Sequence, residues 1–104
     1  MDGCVFCKIT NKEIPADIVF ENDNFVVFKD INPKSRIHFL IVSKKHIHSV
    51  AHIEDEDAGL AGQMILTARD TAKKLGLSGY KLLFNVGRGA GQVVDHIHLH
   101  LLAD

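Results

Sequence analysis

The final ten residues, "DHIHLHLLAD", place three histidines at alternate positions: His96, His98 and His100. Alternate side chains of a β-strand point to the same face, so the three imidazoles are predicted to share one face and the aliphatic residues between them the other. Imidazole titrates near neutral pH, which suits acid–base or nucleophilic chemistry. The row alone leaves open a catalytic site, a three-histidine zinc site and an anion-binding surface.

A glycine-rich segment, "NVGRGAGQ", directly precedes the histidines. Glycines let backbone N–H groups approach a phosphate closely. A loop of this kind running into three imidazoles favours a ligand that carries phosphorus. Because a neutral imidazole is a good nucleophile toward phosphorus, the two features together predict chemistry at a phosphate group.

Cys4 and Cys7 form a C-x-x-C pair at the N-terminus. A thioredoxin-like redox pair needs a strand before it, and only three residues precede Cys4. Zinc needs about four nitrogen or sulfur ligands, so the pair would require two partners from among the chain's seven histidines. From the cysteines alone, half of a zinc site and two inert small residues both remain open.

The whole chain has the composition of one folded domain, which we expect to span residues 1–104. Apolar residues make up 46% and charged residues 24% of its 104 residues. The formal net charge of −1 argues against a nucleic-acid polymer or an anionic membrane surface as partner. The sequence lacks an apolar run of membrane-spanning length and opens without a signal-like segment, so we expect a cytoplasmic protein.

Hydrophobic periodicity predicts an α+β fold with a helix against a sheet. Apolar residues recur every three or four positions over 54–75, which indicates one amphipathic helix on which the aliphatic side of the histidine strand should pack. The other predicted elements are a short helical turn in "CVFCKITNKEI", a hairpin of "DIVFE" and "NFVVFKD", a central strand over 37–42, and a strand in "YKLLFNV" before the histidine strand.

The sequence resembles the histidine triad (HIT) superfamily, in its Hint-like branch. The segment "HIHLHLL" fits the H-φ-H-φ-H-φ-φ signature, where φ is apolar, and "FCKITNKEIPADIVFEND", "FKDINPKSRIHFLIVSKKHI" and "YKLLFNVGRGAGQVVDHIHLHLL" extend the likeness over nearly the whole chain. The resemblance implies a five-stranded antiparallel sheet with one long helix and a short N-terminal helix, in a homodimer whose sheets join. It also implies binding of a purine nucleotide, hydrolysis of phosphoramidates or acyl-nucleotidates, and no organic cofactor.

Residue roles follow from the same resemblance. His98 corresponds to the nucleophile that forms a covalent nucleotidyl intermediate, and His96, His100 and His38 are its supporting catalytic histidines. Asp30 is the expected ribose contact, beside Ile31. The remaining predicted contacts are Phe6, Ile9 and Phe28 around the base, and Asn85, Gly91, Gln92 and Val93 on the phosphate side.

The resemblance also bears on the cysteines, because some relatives hold zinc at the positions of Cys4, Cys7, His46 and His96. Two positions separate alternatives within the superfamily. Asn85 disfavours the dinucleoside polyphosphate hydrolases, which usually have Gln there, and Val93 replaces a usual Ser, which leaves room for a non-catalytic nucleotide-binding module. His48 and His52 match no motif and are predicted to lie on the surface.

Overall fold

A computed structural model describes residues 3–104, so the prediction that Met1 and Asp2 belong to the domain lies outside the described residues. Two α-helices and five β-strands form within these residues. In chain order they are α1 (Val5–Thr10), β1 (Ile18–Glu21), β2 (Phe25–Lys29), β3 (Ile37–Ser43), α2 (Ala58–Lys74), β4 (Lys81–Leu83) and β5 (His98–Ala103). Short 3₁₀ turns occur at Val50–His52, Asp55–Asp57 and Arg88–Ala90.

The strands form one antiparallel sheet in the order β1-β2-β3-β5-β4. The side chain of Asn22 makes the turn between the first two strands, since its Oδ1 accepts hydrogen bonds from the backbone N–H groups of Asn24 at 2.9 Å and Phe25 at 2.8 Å. β5 pairs along its whole length with residues 37–42 of β3, which brings His38 opposite Leu102. The five-stranded antiparallel α+β fold expected from the sequence is therefore confirmed.

The two faces of the sheet carry separate apolar clusters. Leu99 and Leu101 of β5 pack with Met64, Ala68 and Ala72 of α2, as the alternation of the histidine strand predicted. The opposite face packs against α1 in a second cluster of buried residues: Phe6, Ile9, Val26, Phe28, Leu40 and Val42. β3 is consequently apolar on both sides, which explains why its sequence does not alternate.

β5 begins at His98, two residues later than the histidine row suggests. The two residues before β5 form hydrogen bonds outside the strand ladder. The Ile97 N–H donates to the carbonyl of Ile47 at 2.7 Å, and the ring of His96 donates to the carbonyl of Ser43 at 2.7 Å. Both acceptors lie at or beyond the end of β3, where the regular ladder has stopped. The structure thus separates His96 from the other two histidines of the row.

The long helix α2 ends one residue before the predicted boundary but begins four residues after it, because a 3₁₀ turn at Asp55–Asp57 precedes it. At its start, the carboxylate of Asp57 accepts a hydrogen bond from the Glu54 N–H at 3.2 Å and forms an ion pair with Lys45 at 2.6 Å. At its end, Gly76 adopts the left-handed conformation, with φ of 72°. No helix in residues 3–104 combines the length and the apolar character that crossing a bilayer would require.

We predict that Leu101→Ala lowers the free energy of unfolding by about 2–5 kcal/mol, because it opens a cavity between β5 and α2. Leu101 is fully buried, whereas Leu66 on α2 is 46% exposed and serves as the matched control. Leu66→Ala should change stability by less than about 1 kcal/mol. Urea denaturation of both variants checks this, and equal losses would contradict the packing described.

Candidate active site and metal site

A cavity of about 310 Å³ opens between α1, the loop after β2 and the first half of β5. This volume lies within the range of small-ligand sites. Its lining includes eight of the residues predicted to contact a nucleotide: Phe6, Ile9, Phe28, Asp30, Ile31, Val93, His98 and His100. Phe6 and Ile9 come from α1, Phe28 from β2 and the histidines from β5, so the cavity has an apolar end and a polar end.

His98 is held in one tautomer by a backbone carbonyl. Its Nδ1 lies 2.7 Å from the carbonyl oxygen of His96. Because a carbonyl can only accept a hydrogen bond, Nδ1 carries the proton and the lone pair of the neutral ring is on Nε2. The edge of Phe6 packs against the same ring at a centroid distance of 5.0 Å, and burial lowers the pKa of His98. A neutral, oriented imidazole in the cavity wall is suited to nucleophilic attack.

His38 and His100 form a second hydrogen-bonded pair. The backbone N–H of Lys34 donates to His38 Nδ1 at 3.0 Å, which places the proton of the neutral His38 ring on Nε2. That Nε2 lies 2.9 Å from His100 Nδ1 and 3.4 Å from a carboxylate oxygen of Asp30. His100 Nδ1 therefore accepts, and the proton of His100 is on its Nε2.

The Nε2–H of His100 is a buried donor without an acceptor among the residues that the structure describes. Burial, reinforced by the nearby His98 and His38, lowers the pKa of His100 to about 4, so the ring is neutral at pH 7. A buried donor of this kind costs free energy until an acceptor arrives. It provides a hydrogen bond for an oxygen of a bound molecule.

Four potential metal ligands converge on the far side of His96. The Sγ atoms of Cys4 and Cys7 lie 3.3 and 3.5 Å from His96 Nδ1, and Cys7 Sγ lies 3.2 Å from His46 Nδ1. In a tetrahedral zinc site, sulfur and nitrogen ligands are roughly 3.6 Å apart. The predicted set of Cys4, Cys7, His46 and His96 is thus brought together, with its donor atoms within 4.8 Å of one another.

The protonation of His96 fits a metal ligand. Its Nε2–H donates to the Ser43 carbonyl, which leaves the Nδ1 lone pair directed at the cysteines. Burial lowers the pKa of His96 to about 4 and that of His46 in the same direction, so both rings are neutral at pH 7. Burial, followed by the contact with Cys4, raises the pKa of Cys7 to about 11, and a bound cation would counter this shift.

Asp30, His38 and His100 also bring donor atoms within 4.8 Å of one another. A metal there would need a lone pair on His38 Nε2. That atom carries the ring proton because Nδ1 accepts from Lys34. The trio therefore fits a hydrogen-bond chain better than a metal site.

The glycine-rich loop is held by Gln92, which is 2% exposed. Its side chain accepts from Gly87 N–H at 2.8 Å and donates to the carbonyls of His48 at 2.7 Å and Val94 at 3.0 Å. Its own backbone N–H donates to the Gly87 carbonyl. The hydrogen bonds of Gln92 thus stay inside the protein, and the residue braces the loop rather than lining the cavity.

Asn85 and Gly91 also support the loop. The side chain of Asn85 donates to the Ala90 carbonyl at 2.9 Å, and Gly91 has φ of 91°, which a larger residue would adopt only with strain. Neither lines the cavity, unlike Val93, which is 74% exposed at its mouth. Of the four predicted phosphate-side residues, the structure brings Val93 to the cavity and places the other three around it.

Several features of the site could not be predicted from the sequence. The cavity is also lined by Val5, Ile14, Leu40 and Val94, whose apolar side chains carry no signal that distinguishes a pocket wall from a core. The groups that set the tautomers are the backbone atoms of Lys34, Ser43 and His96, which sequence reasoning cannot locate. His48 and His52 are exposed, as predicted.

The fold and site define a small α+β protein in which a histidine-lined cavity lies beside a cluster of two cysteines and two histidines. The sequence model of the family described as "Scavenger mRNA decapping enzyme C-term binding" matches residues 3–104. Protein HitA of Neisseria gonorrhoeae is 48% identical over 103 residues, which cover 98% of this chain and 96% of that protein. The chain belongs to the histidine triad (HIT) family.

Solved structures agree with this assignment. A HIT family hydrolase from Legionella pneumophila is 48% identical, with a TM-score of 0.95 over 97% of this chain and 92% of that one. A histidine triad protein from Clostridium difficile is 39% identical, with a TM-score of 0.95 over 100% and 91% of the two chains. The resemblance to the HIT superfamily seen in the sequence is confirmed.

We predict that Gln92→Ala lowers the free energy of unfolding by about 1–3 kcal/mol, because it leaves the Gly87 N–H and the His48 and Val94 carbonyls without their partner. Gln63 is an exposed glutamine on α2 whose side chain accepts a hydrogen bond from Asn24, and Gln63→Ala should cost less than about 0.5 kcal/mol. Thermal or chemical denaturation measures both. A Gln92 variant as stable as the Gln63 variant would show that the brace is dispensable.

Proposed function

We propose that the protein is a nucleotide hydrolase that cleaves purine nucleoside phosphoramidates or acyl-nucleotidates to a nucleoside monophosphate. The observation that carries this proposal is the orientation of His98: its Nδ1–H is bound by the His96 carbonyl, and its Nε2 lone pair belongs to a ring that lines the cavity. The family assignment and the hydrolases among the solved neighbours support it.

The substrate's parts match the two ends of the cavity. Phe6, Ile9 and Phe28 form an apolar slot for a flat base, and the carboxylate of Asp30 can accept hydrogen bonds from ribose hydroxyls. These contacts would place the α-phosphate beside His98 and His100. Base burial supplies affinity without choosing between adenine and guanine, because the slot presents apolar side chains.

In the proposed reaction, His98 Nε2 attacks the α-phosphorus and a P–N bond to histidine forms. The bond from phosphorus to the amine or carboxylate breaks, and its electron pair leaves with that group. A carboxylate departs as the anion, whereas an amine takes a proton from water. Water then attacks the nucleotidyl-histidine, which releases the monophosphate and restores the Nε2 lone pair. The Nε2–H of His100 can donate to a phosphate oxygen throughout.

His38 acts through His100 in this scheme. Its Nε2–H fixes His100 Nδ1 as an acceptor and so keeps the His100 proton directed away from the pair. The backbone N–H of Lys34 in turn fixes the His38 tautomer. His38 is therefore a positioning residue, and His98 and His100 are the proposed catalytic residues.

We further infer a structural zinc ion held by Cys4, Cys7, His46 and His96. When bound, zinc would tie α1 to the segment before β5.

The protein is also proposed to be cytoplasmic and to form a homodimer. The homodimer is supported by β4, an edge strand whose Leu82 and Leu83 are 39% and 48% exposed and offer an apolar edge for a second sheet.

We predict that His98→Ala loses about a thousandfold or more of the turnover of adenosine 5′-phosphoramidate, because the nucleophile is removed. Binding of AMP, followed by calorimetry, should remain within about tenfold of the wild type. His52→Ala removes an exposed histidine away from the cavity and should keep full turnover.

Three other outcomes of these assays would change the proposed function. Hydrolysis retained by the His98 variant would overturn the covalent mechanism. Tight AMP binding without hydrolysis by the wild type would identify a nucleotide-binding module. Turnover of diadenosine polyphosphates in preference to the phosphoramidate would favour the other hydrolase branch.

Protein purified without chelator should contain about one zinc per chain by elemental analysis. The double variant Cys4→Ser/Cys7→Ser should contain almost none, while His52→Ala should match the wild type. Because the thiols must lose their protons to bind zinc and the pKa of Cys7 is raised to about 11, affinity should fall as the pH is lowered. Well under one zinc per chain in the wild type would remove the metal from the proposal.

A further inference from the structure

A second cleft, of about 410 Å³, adjoins the cavity of about 310 Å³ that His98 and His100 line. The two share the lining residues Val5, Val93 and Val94, so the boundary between them is apolar, and we call it the valine ridge. His98 and His100 lie on one side of this ridge. On the other side lie Cys4 and His46 of the proposed zinc site, together with three polar side chains that neither proposed site uses: His48, Arg88 and Asp95. A group attached to a phosphate beside His98 therefore has a path over the ridge into this cleft.

The cleft has spare hydrogen-bond donors and few spare acceptors. Arg88 uses Nη1 to hold the Val93 carbonyl at 3.2 Å and Nη2 to hold an Asp95 oxygen at 2.9 Å. A guanidinium has five N–H donors, so several remain for a ligand. The other oxygen of Asp95 faces His48 Nε2 at 3.4 Å, so both carboxylate oxygens already have neighbours.

We propose that this cleft is the leaving-group subsite and that Arg88 selects leaving groups ending in a carboxylate. This inference rests on the proposed function and specifies its substrate class: a nucleoside phosphoramidate whose amine carries a short alkyl chain and a terminal carboxylate. The alkyl part lies over the valine ridge, where Val93 offers a methyl surface and no hydroxyl. The carboxylate accepts the free donors of Arg88 in a charge-assisted bond.

The size of the effect follows from exposure. The Arg88 side chain is 66% exposed, so water and salt screen its charge. We expect a preference of roughly two- to tenfold in kcat/KM at low ionic strength, which decreases as salt is added. Since Arg88 contacts the leaving group and not the base, ribose or phosphate, affinity for AMP should not depend on it.

The test compares N-(ω-carboxyalkyl) adenosine 5′-phosphoramidates with their ω-carboxamide counterparts, which have the same size and no charge, over chains of two to five methylenes. The wild type should favour the carboxylate at one or more lengths. Arg88→Gln keeps a side-chain donor and loses the charge, so the ratio of its kcat/KM for the carboxylate substrate to that for the carboxamide should fall to about one. Arg88→Lys keeps the charge and should retain part of the preference. Each ratio is taken within one protein, so changes in the loop cancel.

Three results would overturn the inference. A ratio of one at every length in the wild type, or a preference that persists unchanged in Arg88→Gln, rejects the carboxylate subsite while leaving the proposed function intact. Failure of the wild type to hydrolyse the unsubstituted phosphoramidate rejects the proposed function, and this inference with it.

Discussion

The site depends on His96, whose three polar groups each make a different connection. Its Nε2–H donates to the Ser43 carbonyl, its Nδ1 faces the two cysteines, and its backbone carbonyl accepts from His98 Nδ1 at 2.7 Å. The first bond fixes the ring, the second makes it available to a metal, and the third sets the tautomer of the proposed nucleophile. The cysteine–histidine cluster and the cavity are therefore separate sites, and His96 contributes to both.

The short helix α1 also connects the cysteine–histidine cluster with the cavity. It has six residues, fewer than an isolated helix needs for stability, so tertiary contacts must hold it. Cys4 caps its start by accepting from the Cys7 N–H, while Phe6 packs on the rings of His98 and Phe28. A metal on the cysteines would thus also fix the apolar wall of the cavity, which explains how an N-terminal C-x-x-C can matter to chemistry at the other end of the chain.

The sequence was sufficient for the fold, which follows from side-chain type and spacing, and the family resemblance was sufficient for the grouping of the cysteines with two histidines. Alternation placed the leucines of β5 on α2, and the resemblance grouped the cysteines with His46 and His96. It was insufficient where backbone atoms decide the outcome. His96 leaves the strand because its ring bonds to the carbonyl of Ser43, and Gln92 bonds to the loop around it instead of facing the cavity. Such partners come from tertiary geometry, which spacing along the chain does not encode.

Burial serves folding and chemistry differently on the two faces of β5. On the helix side, Leu99 and Leu101 gain free energy by leaving water. On the cavity side, burial lowers the pKa of His98 and His100 and keeps both rings neutral, but it also leaves His100 Nε2–H without an acceptor in the described part of the chain. An unsatisfied buried donor costs about 1–3 kcal/mol. The apolar face can offset that cost, and a ligand oxygen that accepts the bond recovers it as binding energy. The stability that β5 gains on its helix side thus offsets the cost of keeping an unpaired donor on its cavity side.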